Sequence, residues 1–269
     1  MNQAEQALRD VLDRVTATEE QVEQRWPLFA DPVSGRWTTT ARGSWTGGFW
    51  AGLLWLRATL SGRPDDRAAA SRSTASLAPW IEADTATRGM IFWYGTALAV
   101  DCADATALRE RAALACLDAH DPELGLVPWG AAFGGPRELA RVDALPGLVR
   151  LLRLTGPAGI RAARDQLSLQ LRLTMPAEPP RPAWQATPDG TWVPHPDPPA
   201  GWSRTVAWLA LAVADSGHAA IPEGFLRHPV VRGRFAPGSR VLLPASAARP
   251  DGPPDTSAAA IEVVAALKL

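Results

Sequence analysis

What most constrains this chain is a helical hydrophobic spacing that recurs along it, broken at short intervals by glycine and proline, with almost no strand-like alternation. Leu8, Val11, Leu12 and Val15 occupy the i, i+3, i+4, i+7 positions of a helix with one buried stripe. The same spacing predicts helices over residues 46–61, 66–83, 89–101, 104–118, 138–155, 158–174, 202–216 and 256–268. Asp121-Pro122 and Gly134-Gly135-Pro136 bracket a long loop, whereas Gly62-Arg63-Pro64 and Gly156-Pro157 make short connections between helices. Links as short as these favour antiparallel helical hairpins, so the expected class is all-α. Residues 176–201 hold too many prolines for a helix and read as an extended excursion or a small hairpin around Asp189-Gly190. Residues 219–254 read as loop, with at most a short extended piece at Arg240–Leu243.

The chain has 269 residues, 46% of them hydrophobic and 20% charged, enough for one sizeable core, and residues 1–269 read as a single domain. A formal net charge of −1 gives no electrostatic footprint for a nucleic acid or an anionic membrane, so neither is an expected partner. The amino-terminal stretch MNQAEQALRDVLDRV is charged and amphipathic, unlike a signal peptide, and no run approaches the roughly eighteen apolar residues of a membrane span. The expected compartment is the cytoplasm. Cys102 and Cys116 are too few and too far apart for a disulfide framework or a zinc site and read as buried free thiols. No metal and no cofactor is expected. His120-Asp121 reads as a helix stop and turn ahead of Pro122.

Twelve tryptophans stand against one tyrosine. Pyranose rings present flat C–H faces that stack on indoles, and the indole N–H adds one hydrogen-bond donor. Trp55, Trp80 and Trp208 lie in helical surroundings and read as core, whereas Trp45, Trp129 and Trp202 begin or precede helices beside polar residues and suit saccharide stacking.

Five segments follow one another in order: Ser44-Trp45-Thr46-Gly47-Gly48-Phe49-Trp50-Ala51-Gly52-Leu53-Leu54-Trp55, Val127-Pro128-Trp129, Arg141-Val142-Asp143-Ala144-Leu145, Trp202-Ser203-Arg204 with Ala207-Trp208, and Asp255-Thr256-Ser257-Ala258-Ala259. Together they resemble glycoside hydrolase family 88, the unsaturated glucuronyl hydrolases, and the related family 105, over residues 36–269. The resemblance implies an (α/α)6 barrel of the six-hairpin glycosidase type. It also implies hydration of a C4=C5 enol ether in a small saccharide or glycosylated metabolite, where one carboxyl group can act as both acid and base.

On that resemblance Asp143 is the general acid/base, and its apolar neighbours would favour a proton-bearing carboxyl. A carboxylate stabilising a helix start is the other use of such a residue. Trp45, Trp129, Trp202 and Trp208 become substrate-binding residues, together with Thr87 and His195. Arg204 becomes the guanidinium that grips a uronate carboxylate, unless a salt bridge between helices claims it. His195 falls one residue from a histidine position of family 105 and otherwise reads as a loop residue. Thr87 stands where the family's second aspartate would be, with Asp84 one turn earlier. The segment between Trp202 and Asp255 is compressed, which implies a ring incomplete at its carboxyl end. Apolar edges at Leu209–Leu211 and along the last helix would then be covered in a homo-oligomer. The alternative to an enzyme is an inactive relative that binds a saccharide or serves as a scaffold.

Overall fold

The computed structural model describes residues 2–217, 223–239 and 242–269, so Arg240 and Val241 of the extended piece expected at Arg240–Leu243 lie outside it. Helix dominates these residues, as the spacing predicts, and no helix among them is long and apolar enough to cross a membrane. They divide into two compact units, Met1–Ala83 with Met90–Ala112, and Asp84–Gly89 with Ala113–Leu269.

In the first unit α1 (Gln3–Val22) opens on a capping box between Asn2 and Glu5 and buries Val15, Thr18 and Val22. A short antiparallel pair, β1 (Trp26–Ala30) and β2 (Trp37–Thr40), follows where no strand was expected. Next come α2 (Ser44–Ser61) and α3 (Pro64–Ala75). The helix predicted over 66–83 stops early because Pro79 permits only a 3-10 turn at Ala78–Ile81. Over 89–101 a π-turn (Gly89–Trp93) leads into the single turn α4 (Tyr94–Thr96). A Cβ on Gly48 of α2 would lie 2.3 Å from the Met90 carbonyl oxygen, so the glycine-rich start of α2 is explained by close backbone approach. Trp55 and Trp80 are core, as expected. Their indole N–H groups donate to Thr74 Oγ1 (2.8 Å) and the Arg42 carbonyl (2.6 Å).

The helix α5 (Ala103–Asp118) carries Cys116 fully buried, and burial pushes its thiol up to about 12 against the opposing charge of Arg88. Cys102, by contrast, is only half-buried and lines a cavity of about 330 Å³ in the first unit. Asp121 caps its own turn, its carboxylate accepting from the N–H groups of Glu123 and Leu124, which accounts for the His120-Asp121 pair.

The second unit corrects the helix predicted over 138–155. Leu139–Arg141 forms strand β3, a 3-10 turn covers Val142–Ala144, and only Leu148–Arg153 (α6) is α-helical beyond Pro146-Gly147. After α7 (Gly156–Thr174), the proline-rich excursion forms the expected hairpin, β4 (Ala183–Ala186) and β5 (Trp192–Pro194), which adds to β3 in the antiparallel order β3-β4-β5. Then come α8 (Arg204–Ser216), the unexpected short helices α9 (Glu223–Arg227) and α10 (Pro229–Phe235), and α11 (Thr256–Lys268). Helix α11 packs along α8, and Lys268 Nζ donates to Asp215 Oδ1 at 2.6 Å. Leu209–Leu211 are buried, which corrects the expected apolar edge there, while Val263, Val264 and Leu267 of α11 are exposed.

Candidate active site

Strand β3 and the turn after it set the site by simple alternation. Ala140, Val142 and Ala144 point into the core, at 2% exposure or less, so Arg141 and Asp143 share the outer side. The Arg141 side chain folds over this two-residue step and grips Asp143 with two bonds, Nε to Oδ1 at 3.0 Å and Nη2 to Oδ2 at 2.9 Å. The guanidinium carbon sits 4.3 Å from the centre of the Trp129 ring, a cation–π contact. Trp129 is itself positioned by main-chain bonds, its N–H donating to the Leu139 carbonyl and its carbonyl accepting from Ala86 N–H. At 7% exposure it carries the guanidinium more than it offers an open face for a sugar.

His195 arrives from β5, its N–H bonded to the Ala183 carbonyl across from Arg141. Its Nδ1 lies 2.8 Å from the Asp197 carbonyl oxygen, and the exposed Asp197 carboxylate lies 3.8 Å from Arg141 Nη1. Trp129 and Asp143 are thus in direct contact with Arg141, whereas His195 is linked to it only through Asp197. The motifs in the sequence assign no role to Arg141, and the only signal for one is its Arg-x-Asp spacing to Asp143.

The other candidates of the second unit make no hydrogen bond or ion pair with Arg141 or Asp143, although α8, which carries Arg204 and Trp208, packs against the Val142–Ala144 turn. Thr87 is wholly buried, its Oγ1 2.9 Å from that of Thr85, and presents no surface to a solute. Asp84 does not replace the carboxylate absent there, because it accepts from Ala131 N–H and Arg137 Nε, both at 3.0 Å. Trp208 is buried within α8, and Trp45, half-buried at the start of α2, belongs to the first unit.

Arg204 forms the salt bridge between helices, its Nε donating to Asp255 Oδ2 at 2.8 Å while the guanidinium lies 5.6 Å from the Trp202 ring centre. Asp255 also takes the Ser203 hydroxyl at 2.7 Å and caps α11 through the N–H groups of Ser257 and Ala258. Burial pushes the Asp255 carboxyl up. The bonds from Arg204 and Ser203, the Arg204 charge and the Ala258 N–H together outweigh burial and hold it below the usual carboxylate range. A lowered native pKa contributes stability that is fully present above the unfolded value of about 3.9 and is lost as pH falls through the native one. The thermal midpoint should therefore drop below about pH 4. Asp255→Asn should start lower at neutral pH and fall less steeply over that window, as followed by circular dichroism.

No family model matches the sequence, and no curated protein matches it. Solved structures are similar over nearly the whole chain. The unsaturated glucuronyl hydrolase of Bacillus sp. GL1 is 21% identical with a TM-score of 0.83, covering 98% of this chain and 77% of its own. An unsaturated glucuronyl hydrolase specific for heparin gives 18% identity and a TM-score of 0.79, with 98% and 77% covered. The unsaturated glucuronyl hydrolase of Streptococcus agalactiae gives 16% and 0.81, with 98% and 72% covered. This chain has the all-α, six-hairpin glycosidase fold of the unsaturated glucuronyl hydrolases.

Proposed function

We propose that the chain is a saccharide-acting hydrolase that hydrates the C4=C5 enol ether of an unsaturated uronide, with Asp143 as general acid and base. The observation that carries this reading is a carboxylate fixed at both oxygens by Arg141 beside the Trp129 ring. In its protonated form Asp143 gives a proton to C4, and positive charge develops at C5 and the ring oxygen. Water then adds at C5 while the Asp143 carboxylate takes one of its protons, and the resulting hemiketal opens to release the remaining saccharide. One positioned carboxyl serves both transfers. A variant of the Streptococcus agalactiae enzyme, 15% identical to this chain, is complexed with dGlcA-GalNAc6S, which supports an unsaturated glucuronyl disaccharide as the first substrate to try.

Thr87 favours a second reading, a protein that binds such saccharides without turning them over, because it is buried and supplies no second carboxylate. One assay separates the two. Purified protein incubated with a Δ4,5-unsaturated glucuronyl disaccharide should remove the ultraviolet absorbance of the conjugated alkene. Calorimetric binding with the absorbance untouched would select the second reading, and neither signal would end both.

A further inference from the structure

A guanidinium has two edges on which a carboxylate can sit with paired bonds, Nε with Nη2 and Nη1 with Nη2. On Arg141 the first edge holds Asp143, and one face meets Trp129. The second edge is unfilled. Asp197 approaches it at 3.8 Å from Nη1, beyond hydrogen-bond reach, on a side chain that is 81% exposed. Arg141 itself is only 14% exposed, so this edge is an oriented, partly desolvated cation with bonding capacity to spare. Arg204 also has an Nη1/Nη2 edge to spare beyond the Nε it gives to Asp255, but it makes no bond to Asp143, so it cannot tie a bound carboxylate to the candidate acid.

We infer that Arg141, and not Arg204, is the carboxylate receptor of this site: a uronate carboxylate takes its Nη1/Nη2 edge, displacing Asp197, while Asp143 keeps the Nε/Nη2 edge. Arg141 is thereby the residue that sets specificity for an acidic sugar. Its further role in positioning rests on the hydrolase reading above. In an unsaturated uronide C4 lies two bonds from the carboxylate carbon, so a guanidinium holding both carboxyl groups sets Asp143 beside the carbon to be protonated.

The test uses ligands that need no turnover: a saturated glucuronyl disaccharide and its methyl ester, titrated calorimetrically into the full chain. Wild type should prefer the acid by about tenfold or more, as expected of a paired charge-assisted contact. Arg141→Met should erase that preference, and Arg141→Lys should keep only part of it, since an ammonium has no fork. Asp197→Asn should tighten the acid about threefold without changing the ester, and the gain should shrink in about 0.5 M salt because the competing carboxylate is exposed. An acid preference that survives Arg141→Met, or an acid affinity unmoved by Asp197→Asn, overturns the inference. If Arg141→Met does not fold, Arg204→Met decides: the preference must persist in it, and its loss there overturns the assignment. Failure of the hydrolase reading registers separately, as an unsaturated disaccharide left intact while the acid preference stands.

Discussion

Asp143→Asn should reduce turnover of an unsaturated glucuronyl disaccharide by about 10²–10⁴-fold, the range that a positioned general acid or base supplies. The amide keeps the shape of the carboxyl and can still accept one bond from Arg141. It can neither deliver a proton to C4 nor take one from water. The loss should therefore fall on kcat, with KM changing far less, because the substituted atom acts on the reacting carbon and not on the rest of the sugar. Arg141 in the variant no longer faces a negative partner on its Nε/Nη2 edge, so the thermal midpoint must be measured alongside. Retention of turnover within about tenfold in a folded variant would remove Asp143 from the acid–base role.

Gly130→Ala should destabilise the second unit by about 3 kcal/mol, from two separable causes. The residue has φ +84°, where an L side chain costs roughly 1–2 kcal/mol. A Cβ there would also lie 2.0 Å from the Asp84 carbonyl oxygen, and overpacking of that kind costs typically about 1–3 kcal/mol. Gly134→Ala is the control, since its φ is +75° with nothing within 4 Å, and it should show the first cost alone. Denaturant midpoints at unchanged m-value would read both. Because Gly130 follows the Trp129 that carries Arg141, the larger loss should be accompanied by weakened saccharide binding. Equal costs at the two glycines would mean that the backbone crossing at Asp84 yields freely.

The helices most legible in the sequence are those whose spacing and punctuation agree. The stretches 46–61, 158–174 and 256–268 lie within two residues of α2, α7 and α11, whose ends are fixed by Gly62 in left-handed geometry, by Pro157 and by the Asp255 cap. Strand β3 was hidden because three residues are too few to show a period. What makes Leu139–Arg141 a strand is its pairing with Ala183–Gln185, far along the chain. The site divided in the same way. Motif order singled out Asp143 and Trp129, but the grip of Arg141 on both depends on how one side chain folds over a turn. Arg204 and Asp255 each belonged to a motif, yet their salt bridge across 51 positions emerges only from the packing of α11 on α8. Thr87 was placed by register alone, and register carries no information about burial.

Lys268 is the only lysine in the sequence, and it docks α11 against Asp215, a residue with 1% of its side chain exposed. An amine-reactive reagent therefore meets a single lysine in this sequence. While the ion pair is closed the amine is engaged, so the rate of acylation at that position reports how often the Lys268–Asp215 contact opens. The unaltered protein thus carries its own chemical gauge of local opening, usable without a mutation or an added fluorophore.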